Sequence, residues 1–354
     1  MDILLTASKF DIKEHIIGYM PLGNGHINST YLITTKSKKS YVIQKINNNV
    51  FKNVDELMKN ICMTTEFLAS KGYETLNVTH TKEGKNYLQV GDDYYRLYGY
   101  IDNVICYEGV NDLGAVYNAA KAFGMLHKSL KDFDASKLSE VIPNFHNTEV
   151  RYETFLESVK KDVKGRVKSC QEEIDNVNKY KDLYSKIVDY IKTGEVKLGV
   201  THNDPKINNV LFDAQTNDIR AVIDLDTIMP GSYLYDYGDA LRSLFTGEYE
   251  DSKDLSKINI NYQIFEMYTK GYLSEMKDVL TPKEVELLPF AVFLLTAELV
   301  IRFLTDYLDG DTYFKTTYPE HNLVRARTQM KLMNEIYNHF DQLNEIVQKC
   351  YKLA

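Results

Sequence analysis

The chain has 354 residues, 44% of them hydrophobic and 26% charged, with a formal net charge of −8. Its length favours two lobes over one compact core, and its composition is typical of an ordered globular protein. The acidic balance and the absence of a long basic cluster argue against nucleic acid as a partner. The four cysteines form no CxxC pair, and no stretch reaches 18 uncharged apolar residues. We therefore expect a cytoplasmic protein with no zinc site, disulfide framework, signal peptide or membrane span.

Strand patterns dominate the first hundred residues. Residues 29–34 and 41–46 alternate apolar and polar side chains on either side of a lysine-rich turn, which predicts a hairpin. Residues 53–68 have apolar side chains at helical spacing, and residues 86–100 predict a second pair of strands. The pattern predicts a first lobe, residues 1–100, made of a small sheet and one helix.

Helical spacing dominates the rest of the chain. Asn111 is a plausible N-cap for a helix that reaches residue 130, and long charged helices are predicted over residues 148–192 and from residue 283 onward. Two short strand-like runs near residues 210–212 and 221–224 interrupt these helices. The predicted class is α+β, with a large helical second lobe at residues 101–354 and a cleft between the two lobes.

A glycine-rich turn, GNGHIN at residues 23–28, precedes the first hairpin strand. Such clusters are often simple turns, but a glycine turn between antiparallel strands also lets backbone N–H groups approach phosphates closely. Asn28 can replace a third glycine there, because asparagine tolerates left-handed backbone geometry. We predict that Gly23 and Gly25 contact a nucleotide.

Lys45 lies near the end of the second hairpin strand. In isolation it would be read as a lysine whose ammonium reaches solvent from a strand end. Together with the glycine turn, it matches the lysine that pairs with nucleotide phosphates and with a carboxylate on the following helix. Glu56, Glu66 and Asn60 are candidates for that partner, and the spacing does not choose among them.

The segment THNDPKINNVLFD, residues 201–213, has the spacing H-x-D-x-x-x-x-N of a phosphotransfer catalytic loop. Asp204 is predicted to accept or orient the acceptor hydroxyl, and Asn209 and the later Asp224 to supply oxygen ligands for Mg²⁺. The alternative is a polar turn before a hairpin. The order of glycine turn, lysine, loop and final aspartate favours phosphotransfer. His202 is expected to hold the loop by bonding to backbone.

With these motifs the chain resembles the aminoglycoside phosphotransferase and choline kinase superfamily. Residues 223–226 read I-D-L-D, which resembles the I-D-x-[DE] of that superfamily and departs from the D-F-G of protein kinases; no A-P-E segment follows. The resemblance implies a protein-kinase-like fold with a β-rich N-lobe and a helical C-lobe. It also implies ATP and Mg²⁺ as cofactors and a small molecule as acceptor.

Longer segments resemble the N-acetylhexosamine 1-kinases: residues 221–243, 139–155 and 301–329. This resemblance implies phosphorylation of the C1 hydroxyl of N-acetylglucosamine or N-acetylgalactosamine, with Asp204 as the base. It also implies sugar contacts from Arg302, Tyr313 and His26. By spacing alone, Arg302 could instead form a surface pair with Asp306, four residues later on the same helix.

Three further aspartates are expected to hold the loop: Asp226, Asp236 and Asp239, the last paired with Arg242. The alternative for Asp226 is a contact with the metal. A rival function is a kinase for choline, homoserine, methylthioribose or an aminoglycoside, although Arg302 in the pocket would disfavour a cationic acceptor. A rival of another class is a nucleotide-binding pseudokinase. The sequence leaves open the oligomeric state, the preferred nucleotide and the preferred sugar.

Overall fold

The computed structural model describes residues 2–23, 27–107, 109, 112–245 and 250–354. The chain forms two compact units. Unit 1 comprises Met1–Cys106, Asp132–Pro143 and Val210–Pro230, and unit 2 comprises Tyr107–Lys131, Asn144–Asn209 and Gly231–Ala354. Residues 132–143 and 210–230 lie beyond the predicted boundary at residue 100 and yet belong to unit 1. The strand pair expected among the helices of the second lobe is therefore part of the first unit.

The main sheet of unit 1 has the strand order β1-β2-β3-β6-β4, with β5 also paired to β6. All its pairings are antiparallel, and β2 and β3 are the predicted hairpin. In chain order the strands are β1 (Ile16–Pro21), β2 (Ser29–Thr35), β3 (Ser40–Ile46), β4 (Val78–Thr79), β5 (Leu88–Val90) and β6 (Asp93–Gly99).

The register divides the side chains of this sheet between two faces. Gln44 lies opposite Thr30 on β2 and opposite Arg96 on β6, so these three share one face, called here the arginine face. The other face packs against the N-terminal helix α1 (Ile3–Ala7) and is called the α1 face. Its buried cluster contains Ile3, Ala7, Phe10, Ile33, Tyr41, Ile43, Tyr95 and Leu97.

Helix α2 (Val54–Ser70) begins after the N-cap Asn53, whose side chain accepts from the backbone N of Glu56, as the helical spacing predicted. Asn60 is fully buried on this helix. Its Nδ2 donates to the backbone oxygens of Ser139 and Ile228, and its Oδ1 accepts from the Ser139 N. The side chain of Asn60 thus hydrogen-bonds both later segments of unit 1, residues 132–143 and 210–230, to helix α2.

A second antiparallel sheet in unit 1 has the order β10-β9-β7. Its strands are β7 (Val104–Ile105), β9 (Val210–Asp213) and β10 (Ile219–Val222). Asp224 lies two residues after the end of β10, so this sheet sets the position of the predicted metal ligand. Two short strands complete the described chain, β8 (Gly199–Thr201) in unit 2 and β11 (Met229–Gly231) at the end of the last segment of unit 1.

Unit 2 is mainly helical, which with the sheets of unit 1 confirms the α+β class. Helix α3 packs on α8, and α10 packs on α4, α7 and α11. The helices of unit 2 are α3 (Leu113–Leu130), α4 (Thr148–Lys161), α5 (Gln171–Lys179), α6 (Lys186–Thr193), α7 (Tyr233–Leu244), α8 (Tyr262–Met276), α9 (Pro282–Glu286), α10 (Leu288–Asp309), α11 (His321–Asn338) and α12 (Phe340–Leu353).

Two details of these helices bear on the predictions. The N-cap of α3 is Asp112, whose carboxylate accepts from two backbone N–H groups, while the predicted cap, Asn111, lies outside the described residues. Among the residues described, α10 is the one helix long and apolar enough to cross a membrane, and 89% of its most apolar 18-residue window is buried within the protein. A core helix has the same properties.

Candidate active site

The predicted catalytic loop follows β8 in unit 2 and is held by the buried carboxylate of Asp236 near the start of α7. The two oxygens of Asp236 accept from the backbone N of His202 and of Asn203, both at 2.7 Å, and His127 Nε2 donates to it at 2.7 Å. Burial alone would raise the pKa of Asp236, but the hydrogen bonds from His127 and His202 outweigh it and lower that pKa. Asp236 is therefore the support expected for this loop.

His202 has the structural contacts that we predicted. It is fully buried, and its Nδ1 accepts from the backbone N of Asp204 at 3.2 Å. Its ring meets the edge of Phe123 at a centroid distance of 5.5 Å. The next residue, Asn203, has a left-handed backbone with φ of 64°. Such a conformation costs energy outside glycine and is held here by the bonds to Asp236.

Asp204 and Asn209 are brought together by this loop. Asn209 Nδ2 donates to the backbone oxygen of Asp204 at 2.9 Å, which leaves the side-chain oxygen of Asn209 as its acceptor group. The carboxylate of Asp204 is 30% exposed and lies 2.9 Å from Nζ of Lys206. The loop thus presents an accessible carboxylate next to an amide oxygen.

Lys206 is a candidate site residue that the sequence analysis missed. Burial would lower its pKa, but the adjacent Asp204 carboxylate outweighs this and raises it, so the ammonium stays charged. A signal was available, because a lysine two positions after the predicted base lies in the same short loop.

Asp224 lies in unit 1, exposed at the end of β10. Its backbone is left-handed, with φ of 61° and ψ of 55°. A non-glycine residue held in this region often marks a functional position, since the surrounding structure must impose the conformation. Here the conformation exposes Asp224, whereas Asp226, two residues later, is buried.

The Asp226 carboxylate is engaged at both oxygens within unit 1. Oδ1 pairs with the guanidinium of Arg96, and Oδ2 accepts from Asn28 Nδ2 at 2.6 Å. Arg96 also donates from Nε to Gln44 Oε1 at 2.9 Å, and lies over the ring of Tyr98. Burial would lower the pKa of Arg96, but Asp226 outweighs it and raises that pKa far above the ordinary value. Asp226 therefore acts as a support, and its charge is matched by Arg96.

Asn28 has a different role from the one expected at the end of the glycine turn. It is absent from the left-handed residues of the described chain, so the expectation that its backbone replaces a glycine is wrong. Its side chain is what matters, because Oδ1 accepts from the Asn47 N while Nδ2 holds Asp226. Gly23 does have a left-handed backbone, with φ of 71°. Gly25 and His26 lie outside the described residues.

Lys45 lies apart from these groups. Its Nζ pairs with Asp93 Oδ1 at 2.8 Å on the α1 face, and the side chain is 43% exposed. This hydrogen bond raises the pKa of Lys45 and lowers that of Asp93. The partner is thus none of the three candidates on α2. The structure does not bring Lys45 together with Asp226.

In unit 2, Arg302 and Tyr313 are brought together. The Arg302 guanidinium lies 5.4, 5.8 and 5.6 Å from the ring centroids of Phe145, Tyr313 and Phe314. The alternative surface pair with Asp306 is not formed in the described chain. Asp306 is buried and accepts instead from the backbone N of residues 312, 313 and 314, which fixes the loop that carries Tyr313.

A buried carboxylate lies beneath this arginine. Glu298, one turn before Arg302 on α10, accepts from His146 Nδ1 and from Thr148 Oγ1, both at 3.0 Å, and lies 3.9 Å from the Arg302 guanidinium. Burial would lower the pKa of His146, but Glu298 outweighs it and raises that pKa. The sequence analysis missed Glu298 and His146. The signal was a single glutamate in an otherwise apolar stretch of α10.

The predicted pair of Asp239 and Arg242 is present as a buried ion pair, with an N–O distance of 2.8 Å. Burial would raise the pKa of Asp239, and Arg242 lowers it. Both residues lie on α7, the helix that carries Asp236.

The predicted ligands are of the kind that Mg²⁺ takes. Asp224 supplies an exposed carboxylate and Asn209 a side-chain amide oxygen, and both are hard oxygen donors. Among the described residues no group of three or more His, Cys, Asp or Glu side chains forms a metal cluster. A magnesium ion held largely by substrate phosphates and water does not need such a cluster.

A model of the phosphotransferase enzyme family (APH) matches residues 18–258 of the chain. Among solved structures, the amicoumacin kinase hAmiN in complex with AMP-PNP, Ca²⁺ and Ami is similar, with a TM-score of 0.62 and 14% identity over 94% of this chain and 92% of that one. A microcompartment-associated aminopropanol kinase has a TM-score of 0.62 and 14% identity, with 96% and 97% covered.

A choline kinase from Cryptosporidium parvum Iowa II is also similar, with a TM-score of 0.59 and 15% identity over 96% of each chain. At such low identity these similarities show the fold alone. They confirm the protein-kinase-like fold that the motifs predicted.

Proposed function

Because this chain belongs to the phosphotransferase enzyme family, we propose that it transfers the γ-phosphoryl group of ATP to the C1 hydroxyl of an N-acetylhexosamine. Family membership makes the chain a phosphotransferase, and the identity of its acceptor is what we propose. The observation that carries this acceptor is the cluster of unit 2 in which the Arg302 guanidinium lies among the rings of Phe145, Tyr313 and Phe314. The transfer itself rests on the accessible Asp204 carboxylate, whose loop is held by the buried Asp236.

Asp204 is the catalytic residue of the proposed reaction. Its carboxylate accepts the hydrogen bond of the acceptor hydroxyl and then its proton, while the acceptor oxygen forms a bond to the γ-phosphorus. The bond from that phosphorus to the bridging oxygen breaks, and ADP leaves. Because the rate of phosphoryl transfer depends mainly on positioning and on electrostatic stabilisation, the rigid support of the loop contributes directly to the rate.

The remaining groups are proposed to bind the nucleotide and to offset the negative charge of its phosphates. Lys206, held beside Asp204, places a cation where negative charge develops on the transferring group. Asn209 and Asp224 would hold Mg²⁺, which neutralises phosphate charge when it is bound. Gly23 and Gly25 would give backbone N–H groups to the nucleotide.

The acceptor contacts proposed for unit 2 are Arg302 and Tyr313, with His26 added by the family resemblance. Arg302 is 14% exposed and keeps its guanidinium among aromatic rings, a combination suited to the hydroxyl, carbonyl and apolar faces of a sugar. Burial and the charge of Arg302 lower the pKa of Arg151, so a second guanidinium lies in this region. A cationic acceptor would be repelled here.

The alternative acceptors are choline, homoserine, methylthioribose or an aminoglycoside. The structural relatives named as aminopropanol and choline kinases keep this alternative open. The pseudokinase alternative is weaker, because Asp204, Asn209 and Asp224 are all present, with Asp204 and Asp224 accessible.

An ADP-release assay with Mg·ATP tests the proposal over N-acetylhexosamines, plain hexoses, choline, homoserine and an aminoglycoside. We expect turnover of N-acetylglucosamine or N-acetylgalactosamine, with the product identified as an anomeric phosphate by ³¹P NMR. Asp204→Asn should lower kcat by about 10²–10⁴-fold and leave the Kd for Mg·ATP nearly unchanged. Turnover of choline or an aminoglycoside without any N-acetylhexosamine would contradict the acceptor, and full activity in Asp204→Asn would contradict the assigned base.

A further inference from the structure

The two faces of the main sheet carry different cations. Lys45 lies on the α1 face and is partly exposed, as is its partner Asp93. Arg96 lies on the arginine face, with 1% of its side chain exposed. Because side chains alternate along a strand, Gln44 and not Lys45 shares the face of Arg96. Lys45, the lysine expected at the nucleotide, and the buried Arg96 therefore lie on opposite faces of the sheet.

The surroundings of Arg96 fix it in place from several directions. Gln44 accepts from Nε, the Tyr98 ring lies 5.2 Å from the guanidinium carbon, and Asp226 pairs with Nη1. Gln44 is itself oriented, since its Nε2 donates to Thr30 Oγ1 at 3.0 Å. Four groups on three strands and the 223–226 segment therefore determine where this guanidinium lies.

The fixed position of Asp226 also restrains the residues next to it in the chain. Arg96 and Asn28 take one carboxylate oxygen each, so Asp226 is committed inside unit 1. Asp224, two residues earlier, is left exposed with a left-handed backbone. Of the two aspartates in I-D-L-D, Asp226 is therefore buried in the ion pair and Asp224 is the exposed one. Asn28 connects the same pair to the end of the glycine turn.

We propose that Arg96 is a positioning residue for Mg·ATP: acting through Asp226, it fixes Asp224 in the conformation that binds the metal. Arg96 is a buried cation of unit 1, whereas Lys45, to which the motif spacing had given the nucleotide contact, is partly exposed. This inference rests on the proposed function, because it needs a bound Mg·ATP, but it does not depend on the acceptor. It assigns Arg96 no contact with the reacting atoms.

Isothermal titration measures the Kd of ATP with Mg²⁺ and, separately, with EDTA, for the wild type and for three variants. Arg96→Lys keeps the charge but loses the fork that holds Asp226 and Gln44 together. We expect it to weaken Mg·ATP binding by about 10–100-fold, as for residues that orient a metal ligand, and to change metal-free ATP binding much less. A purely structural defect would weaken both to the same extent.

Two variants supply the comparison. Arg220→Lys makes the same substitution in unit 1 at an exposed pair with Glu74, and it should bind Mg·ATP as the wild type does. Lys45→Met should weaken Mg·ATP binding less than Arg96→Lys. A larger loss in Lys45→Met than in Arg96→Lys would overturn the proposal.

If Arg96→Lys is unfolded at the assay temperature, the double variant Arg96→Gln/Asp226→Asn removes both charges and keeps a hydrogen-bonding pair. Weak Mg·ATP binding in this folded variant supports the proposal, and wild-type binding overturns it. A wild type that binds no Mg·ATP overturns the proposed function together with this inference. A wild type that binds Mg·ATP but phosphorylates no acceptor contradicts the acceptor alone.

Discussion

Asp226 of unit 1 and the carboxylates of Asp236 and Glu298 in unit 2 are all buried, but they have different kinds of partner. Unit 2 also contains a buried pair with arginine, Asp239–Arg242. In unit 1 the partner of Asp226 is the guanidinium of Arg96. In unit 2 the partners of Asp236 and Glu298 are the imidazoles of His127 and His146. All three carboxylates are almost completely buried, with exposed side-chain fractions of 6% or less.

The arginine pair and the histidine pairs respond differently to the pH of the solvent. A guanidinium stays charged at every accessible pH, so the pair in unit 1 is permanent. An imidazole gains or loses its proton near neutrality, so support by histidine varies with pH. The segment with Asp224 is therefore held independently of pH, whereas the elements beside Arg302 rest on a titratable group.

We expect the largest effect on stability from breaking the buried pair of Arg96 and Asp226. Asp226→Asn leaves the Arg96 guanidinium buried without its counter-ion, and we expect a loss of about 3–5 kcal/mol in the free energy of unfolding. The loss should be the same at pH 6 and pH 9, because the Arg96 guanidinium stays charged at both values. Urea denaturation at both pH values measures it.

Glu74→Gln is the matched control for this variant. It removes a carboxylate from an exposed arginine pair in the same unit, where the expected change is below about 1 kcal/mol. Equal losses of unfolding free energy in Asp226→Asn and Glu74→Gln would mean that burial does not strengthen the arginine pair, which would contradict the prediction.

The same comparison shows what could be predicted from the sequence. The spacing of His202, Asp204 and Asn209 is local, so the motif identified a loop that the structure does form. The partner of Asp226 is not local, since Arg96 reaches it only after β6 has joined the main sheet. Composition and periodicity carry no information about that pairing.

Lys45 shows a second limit. Shifting a strand by one residue exchanges its two faces, and a lysine at a strand end can reach solvent from either of them. The motif spacing selects Lys45 on β3, but only the register with Tyr95 and Arg96 shows on which face of the sheet it lies. The α+β class and the hairpin were predictable because they depend on patterns repeated over many residues.

The next effect in size is expected at His146, the titratable partner of Glu298. The pKa of His146 is raised from its ordinary value of 6.5 by Glu298, against burial and the nearby Arg302, and Asp239 adds to the rise. Its contribution to stability is thus complete below about pH 6.5 and is lost as the pH rises through the folded-state pKa. The stability advantage of the wild type over His146→Gln should fall by up to about 1.4 kcal/mol per pH unit in that window.

Urea denaturation of both proteins from pH 5.5 to pH 9 measures this difference. Asp226→Asn serves as the reference, because its deficit relative to the wild type should stay constant over the same range. A constant difference for His146→Gln would show that folding leaves the pKa of this imidazole unchanged, and the contrast between the arginine pair and the histidine pairs would then disappear.

The smallest effect comes from the other donor to Glu298. Thr148 Oγ1 donates to Glu298 Oε2, and Thr148→Val replaces the hydroxyl with a methyl group of similar size. We expect a loss of about 1 kcal/mol, the usual net value of one hydrogen bond. Since a hydroxyl does not titrate in this range, the loss should be equal at pH 6 and pH 9. A loss that grows at pH 9 would show that Thr148 compensates for the lost His146 proton, so that the two donors act as one coupled support for Glu298.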